Sequence, residues 1–431
     1  MKFCAVGDVI IGRRIQEDFA GYEELAPIIG KADAKFFNLE TTLNYEGECF
    51  ASQESGGTYL RTNPEVLEDI KKFGFNMTSF NNNHAMDYSF EGLLRTLEYV
   101  NESGLVHSGA GRNLGEAAAP KYLETSKGRV ALISLNSTLS GQMCAGEQSD
   151  RIKGRPGVNP LRTTQNVELA KEDYEKIKEI IAKSGINASR DIARREGYYG
   201  GVGADDKQYI GAINFTCGEK TEYTRKINEA DLKRLEKSIY EAKLQADYII
   251  VSIHAHEVEG FEKENPAQFL QDFAHFCIDK GAHAVVGHGP HLLRPIEIYN
   301  ERPIFYSLGD FVLQLYNVAF APDEMYSQYG LTTQNTVHEL LKKRSNNFTI
   351  GLMTDKRMFT TVIPYWEMEE DGKLKKLTLY PVLLSMDGNK SEIGLPRLCT
   401  DPELLSDFAA RCEKFGTKLI RNEDGSYDCQ W

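Results

Sequence analysis

Side chains that can bind a metal ion occur directly after several short apolar runs of the sequence. The five groups are Gly7-Asp8, Glu40, Asn81-Asn82-Asn83-His84, His254-Ala255-His256-Glu257 and Gly287-His288-Gly289-Pro290-His291. Carboxylate, amide and imidazole donors together suit a divalent first-row metal, and the lack of cysteine in these groups argues against a Cys-type zinc site. Each group alone is weak evidence, but their recurrence in one order predicts a metal site.

Histidine is unevenly distributed, since five of the nine histidines fall in these groups. A single histidine is more often structural than a ligand, so the clustering is what favours a metal-binding role. We interpret His275 on a predicted helix, His283 inside a predicted strand and His338 on a polar helix as structural. His107 opens a turn of small residues that either faces the site or is structural, and the structural role is slightly favoured.

The apolar runs before these groups have the length and composition of β-strands. They are Phe3–Val6, Lys35–Leu39, Asn76–Phe80, Val130–Leu135, Tyr248–Ile253 and Ala282–Val286. Amphipathic helices are predicted between many of the strands, at Pro64–Phe73, Ser89–Asn101, Ala230–Gln245 and Pro266–Lys280. Alternating strands and helices predict an α/β fold with a largely buried sheet. Ligands bind beyond the carboxyl ends of the strands in such sheets, which is where the donor groups fall.

The second part of the chain predicts a different arrangement. Antiparallel strands are expected there, at Arg302–Tyr306, Phe348–Met353, Met358–Pro364 and Leu377–Leu383. The segment from about Ser140 to Asn228 has little strand signal and is rich in glycine and charge. It is either a lid or a solvated surface excursion, and the sequence favours neither. A second polar stretch, Asn317–Asn347, is a candidate cap over a pocket.

Composition limits the classes of function. The 431 residues are 41% hydrophobic and 26% charged, which is ordinary for a globular protein of one large domain or two. The net charge of −13 argues against nonspecific nucleic-acid binding and leaves room for a local basic pocket that takes a small anion. No apolar run approaches the roughly 20 residues of a spanning helix. Asp8 interrupts the first apolar run too early for a signal peptide, so a cytoplasmic protein is expected, although a chain trimmed of its leader would read the same.

Longer motifs resemble those of CapA-type proteins. They are Gly7-Asp8-Val9-Ile10-Ile11-Gly12-Arg13, Asn38-Leu39-Glu40, Asn82-Asn83-His84-Ala85-Met86-Asp87, Ser108-Gly109-Ala110-Gly111, Gly287-His288-Gly289-Pro290-His291 and Tyr306-Ser307-Leu308-Gly309-Asp310-Phe311. The resemblance covers roughly residues 1–315 and continues more weakly through Lys414-Phe415-Gly416-Thr417. CapA-type proteins are associated with poly-γ-glutamate capsule synthesis and belong with the calcineurin-like metallophosphoesterases.

The resemblance implies a fold and a division of the chain. The implied fold is the calcineurin-like metallophosphoesterase fold, a four-layer α/β/β/α sandwich with a mixed-sheet core and an inserted lid segment. The CapA-like domain is expected at residues 1–315, with the insertion at 140–228 inside it. Residues 316–431 are expected to be a C-terminal extension that completes the sandwich.

The resemblance also implies site residues, because the superfamily holds two metals through a bridging carboxylate beside an Asn-His pair. The implied metal ligands are Asp8, Glu40 as the bridging carboxylate, Asn83 as the amide, and His254, His288 and His291. His84 is implied as the general acid, and an imidazole can protonate a leaving group near pH 7. The implied cofactor is one or two divalent ions of Mn, Fe or Zn.

Three further residues are candidates with open alternatives. Asp87 either holds His84 in one tautomer or caps the helix predicted to begin near Ser89, with equal support. Arg13 and Arg61 either bind a substrate anion through their guanidinium groups or form surface ion pairs.

The sequence departs from the superfamily pattern at four positions. Ile10 stands where a histidine is usual, so one metal site lacks a ligand and a single tightly bound metal becomes possible. Glu40 replaces the usual aspartate and reaches one methylene further. His256 occurs where CapA-type proteins often have glycine, and it either supplies a missing donor or contacts the substrate. Asp310 replaces a common asparagine.

Three functions remain open at this point. The leading hypothesis is a metal-dependent hydrolase of the phosphoesterase type acting on a small anionic substrate, because metal-bound water attacks such centres. The first alternative is a nonenzymatic or accessory role in poly-γ-glutamate capsule synthesis or export. The second is a metal-dependent amide or γ-glutamyl hydrolase. No nucleic-acid partner is expected, and the sequence leaves the oligomeric state open.

Overall fold

A computed structural model describes residues 1–198 and 207–431 of the chain. Its strands, in chain order, are β1 (Lys2–Ile10), β2 (Ala34–Leu39), β3 (Thr42–Leu43), β4 (Arg61–Thr62), β5 (Met77–Ser79), β6 (Val106–Ser108), β7 (Ala110–Gly111), β8 (Lys121–Thr125), β9 (Gly128–Asn136), β10 (Gly157–Val158), β11 (Thr163–Ala170), β12 (Gln208–Ile210), β13 (Ile213–Gly218), β14 (Glu222–Ile227), β15 (Tyr248–His254), β16 (Ala284–His288), β17 (Leu293–Tyr299), β18 (Arg302–Leu308), β19 (Asp310–Leu313), β20 (Thr360–Met368), β21 (Leu374–Leu384), β22 (Pro396–Leu398), β23 (Lys418–Arg421) and β24 (Tyr427–Gln430). Each of the six apolar runs predicted as strands contributes residues to one of these strands.

The α-helices alternate with the strands in the first 290 residues, as the hydrophobic period predicts. They are α1 (Ala20–Ile29), α2 (Val66–Lys72), α3 (Ser89–Glu102), α4 (Leu114–Ala118), α5 (Lys171–Ser184), α6 (Ala188–Arg195), α7 (Glu229–Gln245), α8 (Gln268–Lys280), α9 (Asp323–Gln328), α10 (Val337–Arg344) and α11 (Ser406–Lys414). The four helices predicted from the sequence correspond to α2, α3, α7 and α8. None of the helices in the described ranges is long and apolar enough to cross a membrane.

The chain divides into two compact units. The large unit contains residues 1–160 and 234–431, and the small unit contains residues 161–233. In the small unit, β11–β14 form a four-stranded sheet in the order β12-β13-β11-β14.

Two mixed sheets build the large unit. The first has ten strands, with the order β23-β24-β21-β20-β1-β2-β5-β6 and with β19 and β22 paired to β1 and β21. The second has six, in the order β17-β18-β16-β15-β9-β8. Strands β1, β2, β5 and β6 are parallel, and so are β9, β15, β16 and β18, so the carboxyl ends within each set share an edge. Strands β20–β24 extend the first sheet in antiparallel pairs.

The main core lies between the two sheets. Phe3 and Phe36 of the first sheet belong to one buried cluster with Ile250 and Val286 of the second, and Trp366 stacks on Phe3 with ring centroids 5.3 Å apart. Helices α1, α2 and α3 pack in a second buried cluster on the first sheet, and α8 packs against the second sheet. The result is the four-layer α/β/β/α sandwich with a mixed-sheet core that the resemblance implies.

Two expectations of local structure were wrong. Phe348–Met353 is not a strand, because Phe348 has a φ of 58° and a 3₁₀ helix begins at Leu352. The segment 140–228 contains more strand than expected, in β11, β13 and β14 among others. Those strands are mostly half-buried, so their sequences lack the apolar alternation on which the prediction relied.

Candidate metal centre

The first carboxylate of the site is presented by a close approach of two backbone segments. A Cβ atom on Gly7 would lie 1.8 Å from the carbonyl oxygen of Gly309, so only glycine fits there. The next residue, Asp8, donates its backbone N–H to that carbonyl at 2.9 Å. Its side chain is fully buried at a register shift in β1. The motif Gly7-Asp8 is therefore explained by backbone packing that fixes the carboxylate.

Both carboxylate oxygens of Asp8 are engaged. Oδ1 accepts from the Asn38 amide at 2.7 Å, and Oδ2 accepts from the backbone N–H of Gly289 at 2.8 Å. Burial alone would raise the pKa of Asp8, but the hydrogen bond and charge of His288, with His254 and His291, hold it below its ordinary value. Asp8 is therefore the ionised carboxylate of the site.

Glu40 has the opposite environment. It is 0% exposed, and neither of its carboxylate oxygens has a hydrogen-bond partner among the described residues. Burial, followed by the negative charges of Asp8 and Asp310, raises the pKa of Glu40 well above its ordinary value. A buried carboxylate without donors is costly unless a cation compensates it. This orphaned pair of oxygens fits a bound divalent ion.

Two buried imidazoles lie next to Asp8, at the ends of adjacent parallel strands. His254 and His288 are register partners, and their Nδ1 atoms are 2.9 Å apart. The Nδ1 atom of His288 lies 3.4 Å from Asp8 Oδ1, while its Nε2 pairs with the hydroxyl of Ser252 at 2.7 Å. Burial lowers the pKa of His254 well below its ordinary value, so this ring is neutral, as a metal ligand must be.

The other edge of His254 faces a second set of donors. Its Nε2 lies 2.8 Å from Asn83 Oδ1, 3.1 Å from His256 Nε2 and 3.9 Å from Glu40. Burial also lowers the pKa of His256 well below its ordinary value. His256 is thus placed among the donors themselves.

His291 completes the cluster in an unusual backbone conformation, with a φ of 60°. Its Nδ1 lies 2.9 Å from Asp310 Oδ1. Burial opposes protonation, but the charge and hydrogen bond of Asp310 raise the pKa of His291. Burial in turn raises the pKa of Asp310 to about 6.

Within the described ranges, three overlapping groups bring ligand atoms to within 4.8 Å of one another. The groups are Asp8, His254 and His288; Glu40, His254 and His256; and Asp8, His291 and Asp310. Each combines carboxylate and imidazole donors, which suits a divalent metal. Asp8 is the carboxylate common to two groups, whereas Glu40 belongs to one. The structure thus brings together all six predicted ligands and adds His256 and Asp310.

The run of three asparagines is explained by three different contacts. The Asn81 amide donates to the carbonyls of Ser134 and Asn159, which ties the turn to the second sheet. The Asn82 amide donates to the carbonyl of Leu39 at 2.7 Å, and its oxygen accepts from the backbone N–H of His84. These contacts fix the turn so that Asn83 reaches His254.

His84 lines a cleft in front of the cluster, and its Nδ1 lies 2.7 Å from Asp87 Oδ2. The same oxygen accepts from the backbone N–H of Leu60 at 2.7 Å. Asp87 does not cap α3, because Tyr88 occupies the N-cap position. The contact leaves Nε2 of His84 as the ring nitrogen available to a bound molecule.

The two predicted anion-binding arginines make other contacts or none in the described ranges. The guanidinium of Arg61 donates to the carbonyl of Asn44 at 2.8 Å, lies 3.9 Å from Glu46 and lines a separate small cavity. Arg13 is half-buried, and its side chain makes no hydrogen bond or ion pair with any residue of the described ranges. Neither arginine lines the cleft that contains His84 and His256.

Three residues of the site region were not predicted. Asp310 follows β18, so it could have been predicted from the pattern that metal-binding side chains follow strands. Lys263, which lines the cleft, lies in a loop and leaves no periodic signal. Arg294 is a fully buried arginine whose guanidinium donates to the carbonyls of Lys263, Ala255 and His256 at 3.0–3.3 Å. A strand arginine gives no hint in sequence that it holds two loops of a site.

Comparisons with known proteins identify one family. The family model described as bacterial capsule synthesis protein PGA_cap matches residues 2–315. Uncharacterized protein y4sH of Sinorhizobium fredii is 32% identical over an alignment that covers 96% of this chain and 90% of the y4sH chain. The PGA biosynthesis protein CapA of Bacillus subtilis is 27% identical over an alignment that covers 86% of this chain and 80% of the CapA chain. The crystal structure of a hypothetical protein from Thermus thermophilus aligns with 88% of this chain and 98% of the Thermus chain. The TM-score is 0.40 and the sequence identity is 12%.

Proposed function

This chain belongs to the bacterial capsule synthesis protein family, a family of calcineurin-like proteins that includes CapA, and on that premise we propose that it is a metal-dependent hydrolase. Its substrate is a small anionic ester of the phosphoester type. The cofactor is one or two divalent ions of Mn, Fe or Zn.

The observation that carries the proposal is the environment of Glu40. Its two buried oxygens have no donor in the part of the chain that the structure describes, and the ionised Asp8 and the neutral His254 lie beside it. A cation offsets the repulsion between these carboxylates and uses the neutral imidazoles as ligands. Asp8, Glu40, Asn83, His254, His288 and His291 would hold the ion or ions.

The chain's own groups suit phosphoester hydrolysis. A bound divalent ion lowers the pKa of water toward neutrality and stabilises charge on a phosphoryl oxygen. As the bond from water oxygen to phosphorus forms and the bond to the ester oxygen breaks, His84 transfers a proton from Nε2 to the leaving oxygen. Asp87 accepts from Nδ1–H and fixes the orientation of that ring. His256, which lines the cleft with His84, contacts the anion.

The family's association with poly-γ-glutamate capsule synthesis supports a second candidate, hydrolysis of a γ-glutamyl amide at the same centre. The same water can attack an acyl carbon. A purely accessory role in synthesis or export is the third candidate, and it requires no intact donor set.

A turnover screen separates these candidates. Metal-loaded protein is assayed with p-nitrophenyl phosphate, bis(p-nitrophenyl) phosphate and γ-glutamyl-p-nitroanilide. We expect turnover of a phosphoester that falls about 100-fold in His84→Asn with unchanged metal content. His275→Asn is the matched control, because His275 also contacts a carboxylate, at 2.9 Å from Glu297, but lies outside the cluster.

Each other outcome has a defined meaning. Turnover of the anilide alone assigns the γ-glutamyl reaction. The hydrolase proposal is wrong if no substrate is turned over and poly-γ-glutamate production in cells tolerates Asp8→Asn and His288→Asn.

A further inference from the structure

We propose that the cleft in front of the candidate metal centre selects an organic phosphate with an apolar group, with Lys263 binding the anion and residues 341–354 receiving the apolar group. We call residues 341–354 the cleft wall. This inference rests on the proposed function and specifies its substrate class.

Both formally charged side chains that line the cleft, Lys263 and Arg344, are positive. The cleft has a volume of about 370 Å³, and Lys263 and Arg344 line it together with His84, His256 and His291. No Asp or Glu of the described ranges is among the lining residues, although the protein as a whole has a net charge of −13. A positively lined cleft in an acidic protein concentrates small anions there.

Lys263 is the cation placed to bind the reacting group. Its ammonium makes no hydrogen bond or ion pair with any residue in the described parts of the chain, and its side chain is half-buried. It lines the same cleft as His256 and His291, and its positive charge lowers the pKa of both imidazoles. An unpaired ammonium in a partly desolvated position is available to an anion.

The loop that carries Lys263 is fixed from behind. The buried guanidinium of Arg294 donates to the carbonyl of Lys263 at 3.0 Å and to that of His256 at 3.1 Å. One rigid group therefore sets the spacing between Lys263 and a residue of the candidate centre. This arrangement resembles a prepared binding site more than a loose surface loop.

The cleft wall presents two exposed apolar side chains. Phe348 is 40% exposed and Ile350 is 61% exposed, and both line the cleft. Leu352 and Met353 continue the same surface, and Leu315 and Ile10 lie on it from other segments. Ile10 stands where the superfamily has a metal-binding histidine, so this chain adds apolar surface at the entrance to the centre.

The backbone of the cleft wall is held in an unfavourable conformation. Asn346, Asn347 and Phe348 have consecutive φ values of 48°, 59° and 58°. Asparagine tolerates this region, but phenylalanine rarely adopts it. The Phe348 ring lies 5.1 Å from the His338 ring between centroids and stays 40% exposed where it lines the cleft. Strained backbone of this kind is found at ligand-binding segments.

Binding of non-hydrolysable phosphonates tests the inference separately from catalysis. Methylphosphonate and hexylphosphonate are titrated by calorimetry into full-length, metal-loaded protein, and hexanol serves as the uncharged probe. We expect hexylphosphonate to bind at least about 10-fold more tightly than methylphosphonate, because part of its chain is buried. Hexanol is expected to show no detectable binding.

Two variants assign the contacts. Lys263→Met is expected to weaken both phosphonates by about 10-fold or more, and Phe348→Ser to weaken only hexylphosphonate, by about 5-fold. The matched controls are Lys237→Met, an exposed lysine on α7 that does not line the cleft, and Phe90→Ser, whose ring is 42% exposed on α3. Thermal unfolding confirms that each variant is folded.

The outcomes separate this inference from the proposed function. Equal binding of the two phosphonates, or binding that Lys263→Met leaves unchanged, overturns the inference. Turnover of methyl and hexyl phosphate is measured in parallel. The expected binding pattern without turnover of either ester supports the cleft's selectivity and contradicts only the proposed hydrolysis.

Discussion

At the scale of single residues, two buried carboxylates with opposite protonation preferences define the centre. Asp8 accepts hydrogen bonds at both oxygens and has a lowered pKa, whereas Glu40 accepts none from residues 1–198 or 207–431 and has a raised pKa. The difference comes from donors and not from burial, since both side chains are fully buried. Sequence reasoning identified both residues, and the resemblance implied Glu40 as the bridging carboxylate. In the described ranges Asp8 belongs to two of the three donor groups and Glu40 to one.

The Glu40→Gln variant tests this interpretation through stability. Because the folded-state pKa of Glu40 is raised, the metal-free wild type loses stability as pH rises above the ordinary value of 4.5. We expect the metal-free variant to be more stable than the wild type at pH 7, by about 1–3 kcal/mol, since repulsion with Asp8 and Asp310 is removed. Thermal unfolding after chelation measures this, and metal added back should stabilise the wild type more than the variant. A less stable metal-free variant would contradict the prediction.

At the scale of elements, much of the site could be predicted because parallel strands deliver their ends to one edge. Strands β1, β2, β15 and β16 carry Asp8, Glu40, His254 and His288 in the expected way. Lys263 could not be predicted, because it lies in a loop without hydrophobic period. The stretch Asn317–Asn347 was a candidate cap over a pocket, and Leu341, Arg344 and Ser345 near its end line the cleft, whereas Phe348–Met353 was expected to be a strand. Phe348 in particular has a β-forming side chain in a left-handed conformation, which only the surrounding structure imposes.

The close packing of Gly7, in β1, against Gly309, just before β19, gives a prediction about stability. Gly7→Ala would place a Cβ atom 1.8 Å from the Gly309 carbonyl, so one of the two backbone segments must move. We expect a loss of about 3 kcal/mol or more in the free energy of unfolding, together with weaker metal binding. Gly141→Ala is the control, because nothing lies within 4 Å of the position that its added methyl group would occupy, and it should be nearly neutral. Denaturant titration measures both, and equal stabilities would contradict the packing argument.

His283, which accepts a hydrogen bond from the start of β15, gives a prediction about how stability depends on pH. Burial, followed by the charges of Arg302 and Lys243, lowers the pKa of His283 to about 4, and its Nδ1 accepts from the backbone N–H of Ile249. Below about pH 6.5 His283 is protonated in the unfolded state but stays neutral in the folded state until the pH approaches 4. The free energy of unfolding therefore falls as the pH drops from about 6.5 toward 4. His283→Asn keeps an acceptor and should reduce that fall by about 1–3 kcal/mol.

The exposed His338 provides the comparison for that measurement. His338→Asn should leave the dependence of unfolding free energy on pH unchanged. An identical pH dependence in wild type and His283→Asn would show that His283 does not contribute.

At the scale of the whole molecule, the described donor cluster lies in the large unit. The two residues of the large unit that flank residues 161–233, Pro160 and Arg234, are in contact with each other. Arg234 donates to the carbonyl of Pro160 and to the side chain of Asn159. Replacing residues 161–233 by a short Gly-Ser linker should therefore retain the fold and the metal content. Turnover of the substrate should fall if the segment acts as a lid and stay unchanged if it is a surface excursion. Loss of metal from the folded deletion variant would contradict this division of roles.

The metal content of purified protein, measured by elemental mass spectrometry, decides whether the donor cluster is a metal centre. Wild type should contain one or two equivalents of Mn, Fe or Zn after dialysis. His254→Asn should lose most of it, because His254 belongs to two of the three donor groups, while His275→Asn should retain it. Wild-type protein that binds no divalent metal, or a His254→Asn variant that binds as much as the wild type, would contradict the assignment of this cluster as a metal centre.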